Sequence, residues 1–156
     1  MDIKILLYNL IVFAMPTLVL VFAKALIIKQ RVKPIFGYLK NVPYYKFRGK
    51  NCYYSAMGMT KFYPSYPRKL DIYITYNEII FIGVIDSPFI ISKNVQLSKQ
   101  NFQVSRIFKA KRFYITETAL NFNFTDNIGF KTEIDYQIEL EKSEDAGKLQ
   151  VLHTWV

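Results

Sequence analysis

The chain of 156 residues holds one cysteine, Cys52, and one histidine, His153. A lone cysteine excludes an intramolecular disulfide, so no covalent staple supports the fold. Nucleophilic catalysis needs a nucleophile with a base in reach. Here a small buried thiol and an imidazole near the last residue are the ordinary readings of both. Metal sites draw on several His or Cys residues or on clustered acids. The acids that cluster, Glu133, Asp135, Glu139 and Glu141, alternate along a strand and read as its wet face. No glycine-rich phosphate loop and no serine-centred elbow occurs. These gaps predict a non-enzyme with no catalytic residue, no cofactor and no metal. Acids are also scarce, 12 against 21 lysines and arginines, a net charge of +9.

What is abundant is apolar sequence. Ile5 to Ala23 carries no charge, and after Lys24 the run resumes as Ala25-Leu26-Ile27-Ile28. A bilayer core about 30 Å thick needs about 20 helical residues. The stretch therefore predicts one transmembrane helix, with residues 1–28 as the anchor. Two readings compete: a buried helix of a soluble protein, against which nineteen uncharged residues without a polar stripe argue, and a cleaved signal peptide, since Ala23-Lys24-Ala25 has the small-x-small form of a cleavage site. The apolar stretch is longer than a signal core of about 7–15 residues. Lys24, Lys29, Arg31, Lys33 and Lys40 follow the run, whereas Lys4 alone precedes it. Basic flanks stay in the cytoplasm. The expected localisation is a single-pass membrane protein with its domain facing the cytoplasm.

Residues 29–75 hold ten basic residues and one acid, Asp71. Residues 29–50 read as a basic juxtamembrane connector, because Pro34, Gly37 and Pro43 break any long helix. Ile35 to Leu39 is expected to form a short turn lying on the bilayer. Tyrosines interleave with the charges from Tyr44 to Lys69. Tyr suits the bilayer interface, and basic side chains suit anionic headgroups. Lys46, Arg48, Lys50, Lys61, Arg68 and Lys69 are the candidate lipid- or partner-binding residues. The same composition would stack and neutralise single-stranded nucleic acid; a membrane tether favours lipid over nucleic acid. The plain alternative is a core of aromatics with solubilising lysines.

From residue 51 the pattern has period two. Expected strands are Cys52–Phe62, Leu70–Thr75, Ile79–Val84, Phe89–Ile91, Phe102–Phe108, Arg112–Thr116, Leu120–Thr125 and Glu133–Glu141. Pro64 to Pro67, Tyr76 to Glu78, Asp86 to Pro88 and Asp126 to Gly129 read as turns. In the last of these strands Ile134, Tyr136, Ile138 and Leu140 share one face. Little helix is expected, and Ser143 to Val156 fits either a helix or a strand. Residues 51–156 are thus a mainly β domain, an antiparallel barrel or sandwich.

Tyr66-Pro-Arg-Lys-Leu-Asp-Ile-Tyr-Ile-Thr75 leads through Tyr76-Asn-Glu78 into Ile79-Ile-Phe-Ile82, followed by Pro88-Phe-Ile-Ile91 and later hairpins. Over residues 51–142 this order resembles the bacterial PH-like and GRAM-like domains, small bent β-barrels often found beside membranes. The resemblance implies a PH-like barrel and transfers no site residue. The expected function is a membrane-anchored module that engages anionic lipid headgroups or a protein partner. The alternative is a small immunity-type protein that neutralises a toxin at the membrane.

Overall fold

In a computed structural model the chain forms one long helix followed by a closed β-barrel. The structure describes residues 3–57, 62–63, 68–83, 87–102, 106–116, 118–126, 132–140 and 149. Side chains are described from Val12 onward, and not for 54–57, 62–63, 68, 126 and 132.

Helix α1 spans Ile3–Leu39, 37 residues, and contains Pro16 and Pro34. Beyond Pro16, Thr17 Oγ1 donates to the Phe13 carbonyl at 3.0 Å, the back-bond that hydroxyl side chains make in apolar helices. The stretch Val12–Leu39 has mean hydropathy 2.0 and is long and apolar enough to cross a membrane. Its large apolar side chains from Val12 to Ile27, such as Phe13 at 76% exposure and Leu20, are not covered by the rest of the protein.

The expected break at Pro34 and Gly37 does not occur. Pro34 lies on an exposed side of the helix, and the donor it lacks costs one helical backbone bond. Ile35 and Leu39, one turn apart on the opposite side, are buried against the barrel. Tertiary packing overrides the local breaker, and residues 35–39 are a docked helix end rather than a turn on a bilayer. The helix closes with Asn41 N–H on the Tyr38 carbonyl at 2.9 Å, two residues before Pro43.

The strands are β1 (Tyr45–Met57), β2 (Phe62–Tyr63), β3 (Arg68–Ile74), β4 (Glu78–Gly83), β5 (Phe89–Ser92), β6 (Arg106–Ile115), β7 (Ala119–Asp126) and β8 (Thr132–Glu139). Seven of them, all but β2, close a ring, because β1 pairs with β3 through its first half and with β8 through its second. The two residues of β2 pair with Ala56 and Met57 at the end of β1. The expected antiparallel sheet is in fact mixed, since β5 and β6 run parallel. A parallel pair needs a crossover. Helix α2 (Val95–Asn101) supplies it, just ahead of the strand expected from Phe102 and in a chain where little helix was expected. Asn94 caps it, its side chain accepting from Leu97 N–H at 3.2 Å. The two strands expected across residues 102–116 are one strand, β6, with a register shift between Ala110 and Arg112.

Alternation then sorts the side chains into two layers. Phe47, Cys52, Leu70, Ile72, Ile79, Phe81, Ile91, Phe122, Phe124 and Ile138 fill the barrel. Tyr73, Ile80 and Ile90 point outward and are covered by Ile35 and Leu39 of α1 and by Phe102. β4 is therefore buried on both faces, which is why its sequence reads as an unbroken apolar run. The face predicted for the last strand holds: Tyr136 and Ile138 are buried in the barrel, with Ile134 and Leu140 packed at its margin. Of Ser143 to Val156, Leu149 alone is described, buried in the barrel core.

Candidate functional site

The basic ladder begins on β1, earlier than the expected start at Cys52. Phe47 points into the core and so does Cys52, five residues on. An odd separation puts two residues on opposite faces of a regular strand. The register shift between Phe47 and Lys50 resolves this by inserting extra chain at Arg48 and Gly49. Gly49 takes φ +56°, the left-handed region that glycine enters without steric cost.

The bulge builds a carboxylate clamp. Asp71 on β3 accepts from Gly49 N–H at 3.0 Å and from the Lys46 ammonium at 3.0 Å. Partial burial pushes the Asp71 pKa up, but Lys46, Gly49 N–H and Arg48 outweigh it and hold the carboxyl below its ordinary range. Lys46 also lies over the Tyr73 ring, 4.7 Å from its centre. Its contact with Tyr73 and the Asp71 pair together raise its pKa against the smaller opposing effect of burial.

The predicted basic residues therefore separate. Register places Lys46 opposite Tyr73, Lys50 opposite Leu70, and Asn51 opposite Lys69. Arg48 and Lys69 are exposed, Lys50 is half-buried, and Lys46 is paired. The backbone of Arg68 stands in β3 opposite Cys52, its side chain outside the described ones. Lys61 lies outside the described residues, as does His153. A polar cleft of about 370 Å³ opens beside the bulge, lined by Lys50, Asn51, Thr118, Gln137 and Glu139 among others. Glu139 accepts from Asn51 Nδ2 at 2.9 Å and from the Tyr53 hydroxyl at 2.8 Å, and both bonds lower its pKa.

The acidic face of β8 is divided among neighbours rather than gathered. Glu133 takes Lys111 at 2.8 Å, Asp135 takes Asn123 at 2.8 Å, and Glu139 takes the pair just named. Among the described residues no three His, Cys, Asp or Glu side chains converge on a metal-sized site. Cys52 is 0% exposed, and burial, helped by the charge of Glu139, pushes its thiol up to about 12.

Sequence reasoning missed one site, a buried polar knot at the docked end of α1. Glu78, the first residue of β4, is 1% exposed. Its carboxylate accepts from the hydroxyls of Tyr38 at 2.7 Å, Thr75 at 2.8 Å and Ser98 at 2.9 Å. Ser98 in turn lies 2.7 Å from the Ser92 hydroxyl, so the knot ties α1, the β3–β4 turn, β5 and α2 together. Three donors replace the water that a buried carboxylate loses. The sequence signal was slight: a Thr-x-x-Glu spacing at Thr75 and Glu78 that reads as a turn. Tyr38 sits 40 residues away from its partner. No protein-family model matches this chain, and no curated protein matches it either.

Proposed function

We propose that the protein is a single-pass, membrane-anchored binding module. Its small barrel, PH-like in role, is held at the cytoplasmic surface of a bilayer and engages anionic lipid headgroups through its basic residues. The observation that carries this reading is the continuity of α1. An uncovered apolar segment passes without a break through Lys29, Arg31 and Lys33 into a helix end packed on the barrel. Ile28 to Leu39 accounts for about 18 Å of helix, which leaves about 37 Å from Ile3 to Ile27, more than the hydrocarbon core requires. The barrel is thereby kept next to the headgroup layer, with the basic ladder of β1 and β3 on its wall. Each basic side chain near an anionic surface contributes about 1 kcal/mol.

The test is the lipid that the full chain retains when purified in mild detergent. Anionic phospholipid should be enriched over the source membrane. Replacing Lys46, Arg48, Lys50, Lys61, Arg68 and Lys69 together by Gln should lower that enrichment while the β-sheet circular dichroism persists. Equal retention of neutral and anionic lipid, or enrichment that survives all six changes, would overturn the reading.

A further inference from the structure

Two contacts fix how α1 lies on the barrel. Arg31 Nη1 donates to Ser87 Oγ at 2.9 Å, just before β5 begins. Seven residues further along, Tyr38 reaches Glu78 at the start of β4. The helix therefore runs against β4, with its N-terminal part toward the Gly83 end of that strand. Seven helical residues rise about 10 Å. The steps from Glu78 to Gly83 cover about 16 Å. The two contacts hold the helix near both ends of the strand it covers, the long Arg31 and Tyr38 side chains making up the difference.

Height along the helix then ranks the barrel surface. Ile28 is the last residue of the apolar run. Arg31 lies about 4.5 Å beyond it along the axis, and Tyr38 about 15 Å. A headgroup layer is about 5–7 Å deep on each side of the core. The Debye length is about 8 Å at physiological salt. The Gly83 end falls inside that range and the Glu78 end outside it.

Register carries the ranking to the basic ladder. Lys46 is level with Tyr73 and Ile80, two residues from the Glu78 end, and its ammonium already faces Asp71. Lys69 lies one residue past Leu70, the partner of Gly83. By alternation it shares the outer face of β3 with Asp71 and Tyr73, the face α1 covers further along. We infer that α1 holds the barrel in one orientation, its Gly83 end against the bilayer, where Arg31 and Lys69 meet anionic phospholipid headgroups while Lys46 and the Thr75–Glu78 turn face away. This rests on the membrane-anchored reading and adds to it which wall of the barrel touches lipid.

The full chain allows a direct test, because buried Cys52 stays unreactive beside an exposed engineered thiol. Ser87→Cys reports the Gly83 end and leaves the Tyr38–Glu78 contact and the Ile35 and Leu39 seam to hold α1, while Tyr76→Cys reports the opposite turn; both native residues are exposed. Each variant is labelled with a fluorophore and reconstituted into phosphatidylcholine vesicles carrying headgroup nitroxide lipid, with and without phosphatidylglycerol. Quenching should be strong at position 87 and weak at 76, and phosphatidylglycerol should strengthen it at 87. Lys69→Gln should reduce that gain about fivefold more than Lys46→Gln, the screening expected over a further span of about 13 Å, the length of four strand residues. Equal or reversed quenching would overturn the fixed orientation. A difference indifferent to phosphatidylglycerol or to Lys69 would overturn the lipid contact. A chain that fails to float with vesicles at all would instead overturn the anchored reading itself, so the two failures are distinguishable.

Discussion

Changing Tyr38 to Phe removes one hydroxyl and leaves the ring, which stacks edge-on against Phe102 at 4.8 Å. The Glu78 carboxylate then keeps Thr75 and Ser98 and loses its third donor. A hydrogen bond to a charged group contributes about 1.5–3 kcal/mol. With two donors remaining, the lower part of that range, about 1.5–2 kcal/mol, is expected. For a domain near 100 residues this moves the midpoint of thermal unfolding down by about 6–16 °C. The assay is β-sheet circular dichroism on the full chain in detergent micelles. Ile35→Ala, from a fully buried site on the same helix end, should cost about 2–5 kcal/mol. If both residues act through docking, the double variant should lose less than the sum, because a helix already released cannot be released again. Phe13→Ala, on the uncovered part of α1, should leave the barrel transition in place. A shift below about 1 °C for Tyr38→Phe, or strict additivity with Ile35→Ala, would refute the argument that the polar knot and the apolar seam together dock the helix.

Cys52 should resist maleimide in the folded protein near neutral pH and react once the chain is denatured; rapid labelling of the native state would contradict its burial and raised pKa. Gly49→Ala should destabilise by about 1–2 kcal/mol through backbone strain alone, since an added Cβ meets nothing within 4 Å; a neutral result in urea unfolding would mean the bulge relaxes. Asp71→Asn should lower stability by no more than about 1 kcal/mol, because the Lys46 pair keeps 28% and 36% of its two side chains in water, which screens the charge. The folded pKa of Asp71 is depressed, so that contribution is present above its unfolded value near 3.9 and fades as pH falls through the folded one. Wild type and Asp71→Asn should therefore converge in acid; a gap that persists once the Asp71 carboxyl is fully protonated would assign the loss to something other than charge.

The barrel was legible where one face is wet. Ile134 to Leu140 alternates cleanly, and its two faces lie where the pattern put them. Legibility failed where a remote element changed the local answer. Pro34 and Gly37 predict a broken helix, but burial of Ile35 and Leu39 outweighs the lost backbone bond. Residues 95–101 are too short for a helical period to stand out, and the cap at Asn94 was the available signal. Missing that helix also hid the parallel pair of β5 and β6, since the crossover creates it. At the basic site the residue types were readable but their pairing was not. That Lys46 is neutralised depends on Asp71, which lies 22 residues beyond the Gly49 bulge that it also binds. The Glu78 knot joins residues from four elements, so no window of sequence contains it.

The central claim is that α1 is a retained membrane anchor carrying the barrel at its end. Alkaline carbonate washing of membranes, with the N-terminus of the retained protein sequenced, tests it most directly. The account predicts that the chain stays in the pellet with Ile5 to Ala23 intact. Release into the supernatant, or a mature N-terminus at Leu26, would contradict it.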